Sequence, residues 1–145
     1  GIYITKAIAL ANLGHGDEAK AIFDQLKAQN PTSSQVYTDS GEVHFLLGDY
    51  ATAKTDFERG MLAEAENSFG LVSMRGYPFI YHIQAGYALS LFANGDIEDA
   101  HQQLRDLQAK APRLMTAQEM GKEFFWSEAM TAKADEMLSR LESHA

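Results

Sequence analysis

The chain has 145 residues, 46% of them hydrophobic and 22% charged, which is enough to bury a core and unlike a disordered tail. Its net charge of −8 opposes binding to nucleic acid, which needs clustered Lys and Arg to displace counterions, and opposes attraction to anionic membrane surfaces. Without cysteine there is no disulfide or thiolate chemistry, and no apolar run approaches the ~20 residues of a membrane span.

Helical periodicity is already running at Gly1–Ile2, so a first helix is expected over about 1–13. A chain that starts this way, with no initiator Met, reads as a fragment of a longer protein. Gly14 ends the helix, and a second is expected over 16–29, with Asp17 and Glu18 placing negative charge in its first turn. Helices over 34–47 and 50–64 flank Gly48-Asp49, where Asp49 reads as an N-cap. An insert follows over about 65–77, with Phe69, Leu71, Val72, Met74, Arg75 and Tyr77 beside Gly70 and Gly76. It is too long and apolar for an indifferent linker. Packing back onto the preceding helix is favoured over contact with a partner. Pro78 then fits the first turn of a helix over 78–94, and Asp96 reads as the N-cap of one over 97–110. Thr116-x-x-Glu119 is a capping box that opens a short helix. A last helix over 127–142 carries Met130, Ala134, Met137, Leu138 and Leu141 at helical spacing. With few prolines and no alternating β pattern, the fold class expected is all-α.

Three of these turns repeat. Leu13-Gly14-His15-Gly16-Asp17-Glu18-Ala19 aligns with Leu47-Gly48-Asp49-Tyr50-Ala51-Thr52-Ala53 and with Asn94-Gly95-Asp96-Ile97-Glu98-Asp99-Ala100. Gly14 and Gly48 stand 34 residues apart; Gly95 follows after 47, the same period plus an insert of 13. Register holds on both sides: Ala7, Gly41 and Ala88 before the turn, Ala19-x3-Phe23, Ala53-x3-Phe57 and Ala100-x3-Leu104 after it. Pro31, Ala65 and Pro112 mark the exits. Small residues are needed where two helices cross closely, and the larger ones one turn later fill the crossing.

Over residues 1–112 this pattern resembles the tetratricopeptide repeat family. Lys6 and Ser40 stand where the family has an apolar residue, His44 where it has an aromatic, and Ala65 where it has the exit proline. The resemblance implies an α-solenoid of antiparallel helix pairs forming a right-handed superhelix. One domain over 1–145 would hold repeats at about 1–33, 34–65 and 81–112 and capping helices over 113–145.

Chemistry of a catalytic or metal kind is not expected, and no cofactor is implied. His15, His44, His82, His101 and His144 form no ligand set at metal spacing. Asp39, Ser40 and His44 are neighbours without a nucleophile elbow. Glu64-Ala65-Glu66 reads as a solvated face, and Phe124-Phe125-Trp126 as a plug under the last helix.

The resemblance also implies where a ligand would lie, because the first helix of each unit lines the inner, concave face. Those positions are Ile4, Thr5, Ile8, Ala11 and Asn12 in the first unit and Gln35, Thr38, Asp39, Glu42, Phe45 and Leu46 in the second. The third contributes His82, Ala85, Gly86, Leu89, Phe92 and Ala93. Some family members clamp a terminal carboxylate there with Lys, Arg and Asn. Here Asp39 and Glu42 would repel such a ligand, and no Lys or Arg stands among these residues. The expected function is therefore protein interaction: an apolar, mildly acidic groove, with Phe45 and Phe92 as exposed anchors, for a protein or peptide bearing apolar and basic residues. Two alternatives stand beside it. One is the C-terminal sensor or effector part of a bacterial signalling protein, such as a transcriptional regulator or nucleotide cyclase. The other is self-association as a homodimer. No targeting signal assigns a compartment; the cytoplasm is the leading expectation.

Overall fold

The computed structural model describes residues 2–66 and 77–143. Among them are eight helices and no strand. These are α1 (Ile2–Asn12), α2 (Gly16–Gln29), α3 (Ser34–Leu46), α4 (Tyr50–Glu66), α5 (Phe79–Ala93), α6 (Ile97–Lys110), α7 (Ala117–Phe124) and α8 (Glu128–Ser143). From α1 to α6 each helix packs against the next as a tetratricopeptide-like helical solenoid, and α7 packs against α8. The insert's Phe69 to Gly76 lie outside the described residues, so the choice between packing and partner contact falls outside them too.

The turns follow the sequence signal closely. Gly14, Gly48 and Gly95 have φ of 83°, 79° and 92°, the left-handed backbone that glycine adopts at least cost. Each turn closes with the same long hydrogen bond from the residue after the glycine: His15 N to Leu10 O, Asp49 N to His44 O and Asp96 N to Leu91 O, at 2.8–2.9 Å. Thr116 Oγ1 accepts from Glu119 N at 3.1 Å and Asp49 Oδ1 from Thr52 N at 3.2 Å, as expected of N-caps.

Other expectations change in detail. Asp96 makes no side-chain cap; its carboxylate instead takes Lys54 Nζ at 2.8 Å and Asn94 Nδ2 at 2.9 Å. Lys20 reaches Asp49 at 3.4 Å in the same way one unit earlier, so this pairing repeats with the units. Such surface pairs serve register more than stability. Pro78 is the N-cap residue and the helix begins at Phe79, since its ψ of 143° is still extended. With no proline at position 65, α4 runs on to Glu66. Glu64, read as solvated, is buried and accepts from Ser34 Oγ at 2.7 Å.

The close crossings are real and centre on Phe57. A Cβ added at Gly41 of α3 would lie 2.8 Å from the Phe57 ring, and one at Gly86 of α5 would lie 2.5 Å away. The ring of α4 is thus wedged between its two neighbours, and no larger residue fits at either glycine without displacing it. Gly86 therefore serves helix packing and not the inner face. The larger core joins Phe45, Phe57, Ile83, Leu89, Leu104 and Leu107 to Met120, Phe124, Met130 and Met137 of the last two helices. A smaller core of Ala7, Ala19, Phe23 and Val43 holds the first unit.

Candidate functional site

The inner face is built by α1, α3 and α5, and α8 packs against both α3 and α5. That placement decides which of its residues are open. Thr38, Phe45, Leu89 and Phe92, expected in an open groove, are buried, with Phe45 only 3% and Phe92 only 7% exposed. Each has a physical reason. The Thr38 hydroxyl donates to Ser34 O at 2.7 Å and sits over Gly60 of α4. The Phe45 ring meets Tyr50 at 4.9 Å between centroids. Leu89 and Phe92 join Met130, Ala134, Met137 and Leu138 of α8 in one core, and the Arg140 guanidinium lies 5.8 Å above the Phe92 ring. The last described helix, α8, thus packs on the part of the face where Phe92 stands, while Phe45 is closed off by Tyr50 of α4.

The rest of the face stays open. Gln35 and Asn12 are exposed at its edges. Ile4 and Ile8 of α1, Asp39, Glu42 and Leu46 of α3, and His82 of α5 are half-buried and together line one cavity of about 260 Å³. Six of the seventeen residues expected on the inner face thus converge on it. Four others complete the lining: Phe124, Phe125, Ser127 and Met130. Phe124 and Trp126 turn inward, their rings 5.6 Å apart, as the plug reading expected. Phe125 between them does the opposite. Its φ is 54°, which ends α7, and its side chain is 73% exposed at the cavity. The run of three aromatics signalled the plug; only the backbone reversal at its middle residue separates the outward ring from the inward pair.

The cavity is acidic. Glu42 Oε1 lies 2.9 Å from His82 Nε2. Asp39 accepts Gln35 Nε2 at 3.0 Å. Burial, and after it the neighbouring charge of Glu42, push the Asp39 carboxyl up to about 6; the Gln35 hydrogen bond offsets part of this. None of the lining residues is Lys or Arg.

Two other features compare poorly with it. A larger cavity of about 630 Å³ opens between α7 and α8, but its carboxylates, Glu128 and Asp135, are seven residues apart on one helix, roughly 10 Å, and do not converge. The sequence neighbours Ser40 and His44 find their carboxylate in Asp56 of α4 and not in Asp39. Ser40 Oγ donates to Asp56 Oδ2 at 2.6 Å, and Lys27 Nζ lies 2.7 Å from Asp56 Oδ1. His44 Nδ1 lies 2.8 Å from Ser40 O, so that nitrogen carries the proton, because a carbonyl only accepts. All of Ser40, His44 and Asp56 are buried, and the cluster ties α2, α3 and α4 together. Among the described residues, no group of three or more His, Asp or Glu is placed to hold a metal ion, and no helix is long and apolar enough to cross a membrane.

Comparison with known families agrees with this architecture. Models of the tetratricopeptide repeat match residues 6–33 and 82–106, which fall within the stretches expected to hold the first and third units. The chain matches no curated protein sequence.

Proposed function

Because the chain belongs to the tetratricopeptide repeat family, we propose that it works as a protein-interaction module that holds a peptide or helix segment against the open part of its inner face. Repeats of this family generally bind proteins or peptides. The observation that carries the reading is Phe125, a large ring 73% exposed on left-handed backbone, standing at a cavity with half-buried Ile4, Ile8 and Leu46. A non-glycine residue costs roughly 1–2 kcal/mol in that backbone region, and exposed apolar surface is usually there to be covered. The bound segment would lie against α1, α3 and the α7–α8 corner, with α8 as a fixed wall.

A displayed library of random dodecapeptides, selected on the immobilised chain, tests this. Peptides should be recovered whose binding is weakened by Ile8→Ala and by Phe125→Ser, since Ile8 is half-buried and Phe125 is 73% exposed and both variants should keep the wild-type fold. Peptides that bind wild type and both variants alike, or no recovery above background, would overturn the reading.

A further inference from the structure

We propose that the cavity is a socket for one cationic side chain of the bound segment, an arginine or lysine, with Asp39 as the carboxylate that receives it. This rests on the peptide-binding reading above and names what that site selects. The walls and the floor carry different chemistry. Ile4 and Ile8 from α1, Leu46 from α3 and Met130 from α8 are apolar and half-buried or buried. They suit the methylene stem of a long side chain, which packs on apolar surface while its head stays polar. Phe125 offers an exposed ring face at the cavity, where a cation is attracted by the ring's quadrupole.

The acidic pair is already divided between two roles. Glu42 has a partner with cationic capacity in His82, at 2.9 Å. Asp39 is hydrogen-bonded to the amide of Gln35 at 3.0 Å, which is neutral, and feels the charge of His82 only as a lesser effect. A half-buried carboxylate next to a second carboxylate gains most from an incoming cation, since that cation offsets both the lost hydration and the repulsion. A guanidinium could also take both oxygens of one carboxylate in parallel. The size is consistent: about 260 Å³ is the space of roughly nine waters, enough for one long side chain and too little for a folded element. An anionic or wholly apolar anchor would leave Asp39 and Glu42 desolvated with nothing gained.

The test uses the same peptide library, selected in parallel on wild-type chain, Ile8→Ala and Asp39→Asn. Peptides that depend on Ile8 should share a Lys or Arg. Synthesised and titrated by calorimetry, such a peptide should lose at least tenfold in affinity with Asp39→Asn, and a comparable amount when citrulline, the neutral analogue of arginine, replaces the shared residue. Ile8-dependent peptides without a common basic residue, or with affinity unchanged by Asp39→Asn and by citrulline, would overturn the socket and leave the peptide-binding reading standing. Recovery of no Ile8-dependent peptide would bring down both.

Discussion

Ile8, Glu42 and Leu89 hold the same place in successive units, as do Ile4, Thr38 and Ala85, and again Ala11, Phe45 and Phe92. In the third unit all three of these positions are buried; in the first, all three are half-buried. The repeat positions are equivalent and the helices are equivalent. What differs is the covering: α8 packs more on α5 than on α3, and a cavity separates Met130 of α8 from Ile4 and Ile8 of α1. The inner face therefore has an occupied half, which is core, and an open half, which is surface. A repeat motif specifies the direction in which a side chain points; a distant segment decides whether that direction leads to water.

The largest expected effect comes from removing the cover. Ending the chain after Pro112 takes away Phe124, Trp126, Met130, Met137 and Leu138, all buried in the larger core. Burial of each is worth ~1.5–3 kcal/mol, so their joint loss is comparable with the whole 5–15 kcal/mol stability of an ordinary domain. The truncated chain should aggregate or melt without cooperativity. Soluble material with the wild-type melting curve would show that α7 and α8 do not belong to the core and that the comparison between the halves is spurious.

That dependence also marks what the sequence could and could not convey. The helix limits were legible because glycine at each turn has a local cause, a left-handed backbone that other residues avoid, and φ at Gly14, Gly48 and Gly95 bears this out. The crossing at Gly41 was legible because glycine is small where the Phe57 ring presses close; the one at Gly86, expected on the inner face, was not. Phe92 was misplaced because its burial is non-local, whereas Phe45 is covered by Tyr50 just past the turn. The apolar stripe of α8 was evident, and so was the inner face, but helical spacing does not say which of two apolar surfaces a terminal helix will choose. Phe125 was obscured by its neighbours, since nothing local separates the outward ring from the two that point in. Asp56, the partner of Ser40 and His44, lies one helix away, beyond the reach of sequence adjacency.

A matched pair of substitutions sharpens the contrast at equal chemistry. Leu89 is fully buried and should cost ~2–5 kcal/mol on truncation to Ala, through lost contacts and the cavity left behind. Ile8, at the same repeat position, is half-buried and should cost about 1 kcal/mol. Chemical denaturation of Leu89→Ala and Ile8→Ala at neutral pH measures both. The denaturant slope should stay constant, so the midpoints report stability directly. Equal losses would mean that the first unit is as covered as the third, and the open half would lose its basis.

The most specific effect is a modest one whose sign is opposite to the usual one. Burial and the charge of Glu42 raise the Asp39 carboxyl from 3.8 to about 6 in the folded chain. A folded state that holds its proton more tightly than the unfolded one is favoured while that proton is bound. The favour declines as pH rises from about 4 and is gone above about 6, where the folded state must carry the desolvated charge. At pH 7.5 the wild-type chain therefore bears a penalty that Asp39→Asn removes. The full shift corresponds to ~3 kcal/mol, and partial exposure of the group reduces this to about 1–2 kcal/mol. Asp39→Asn should consequently melt a few degrees higher than wild type at pH 7.5, and the gap should close near pH 4, where both chains carry a neutral group. A variant less stable than wild type at pH 7.5 would mean that Asp39 is already compensated within the fold. If instead the variant is more stable and at the same time loses the basic peptide, the penalty has a use: the open half keeps an ill-solvated carboxylate because a partner's cation resolves it, whereas the occupied half, covered by the chain itself, can settle for packing.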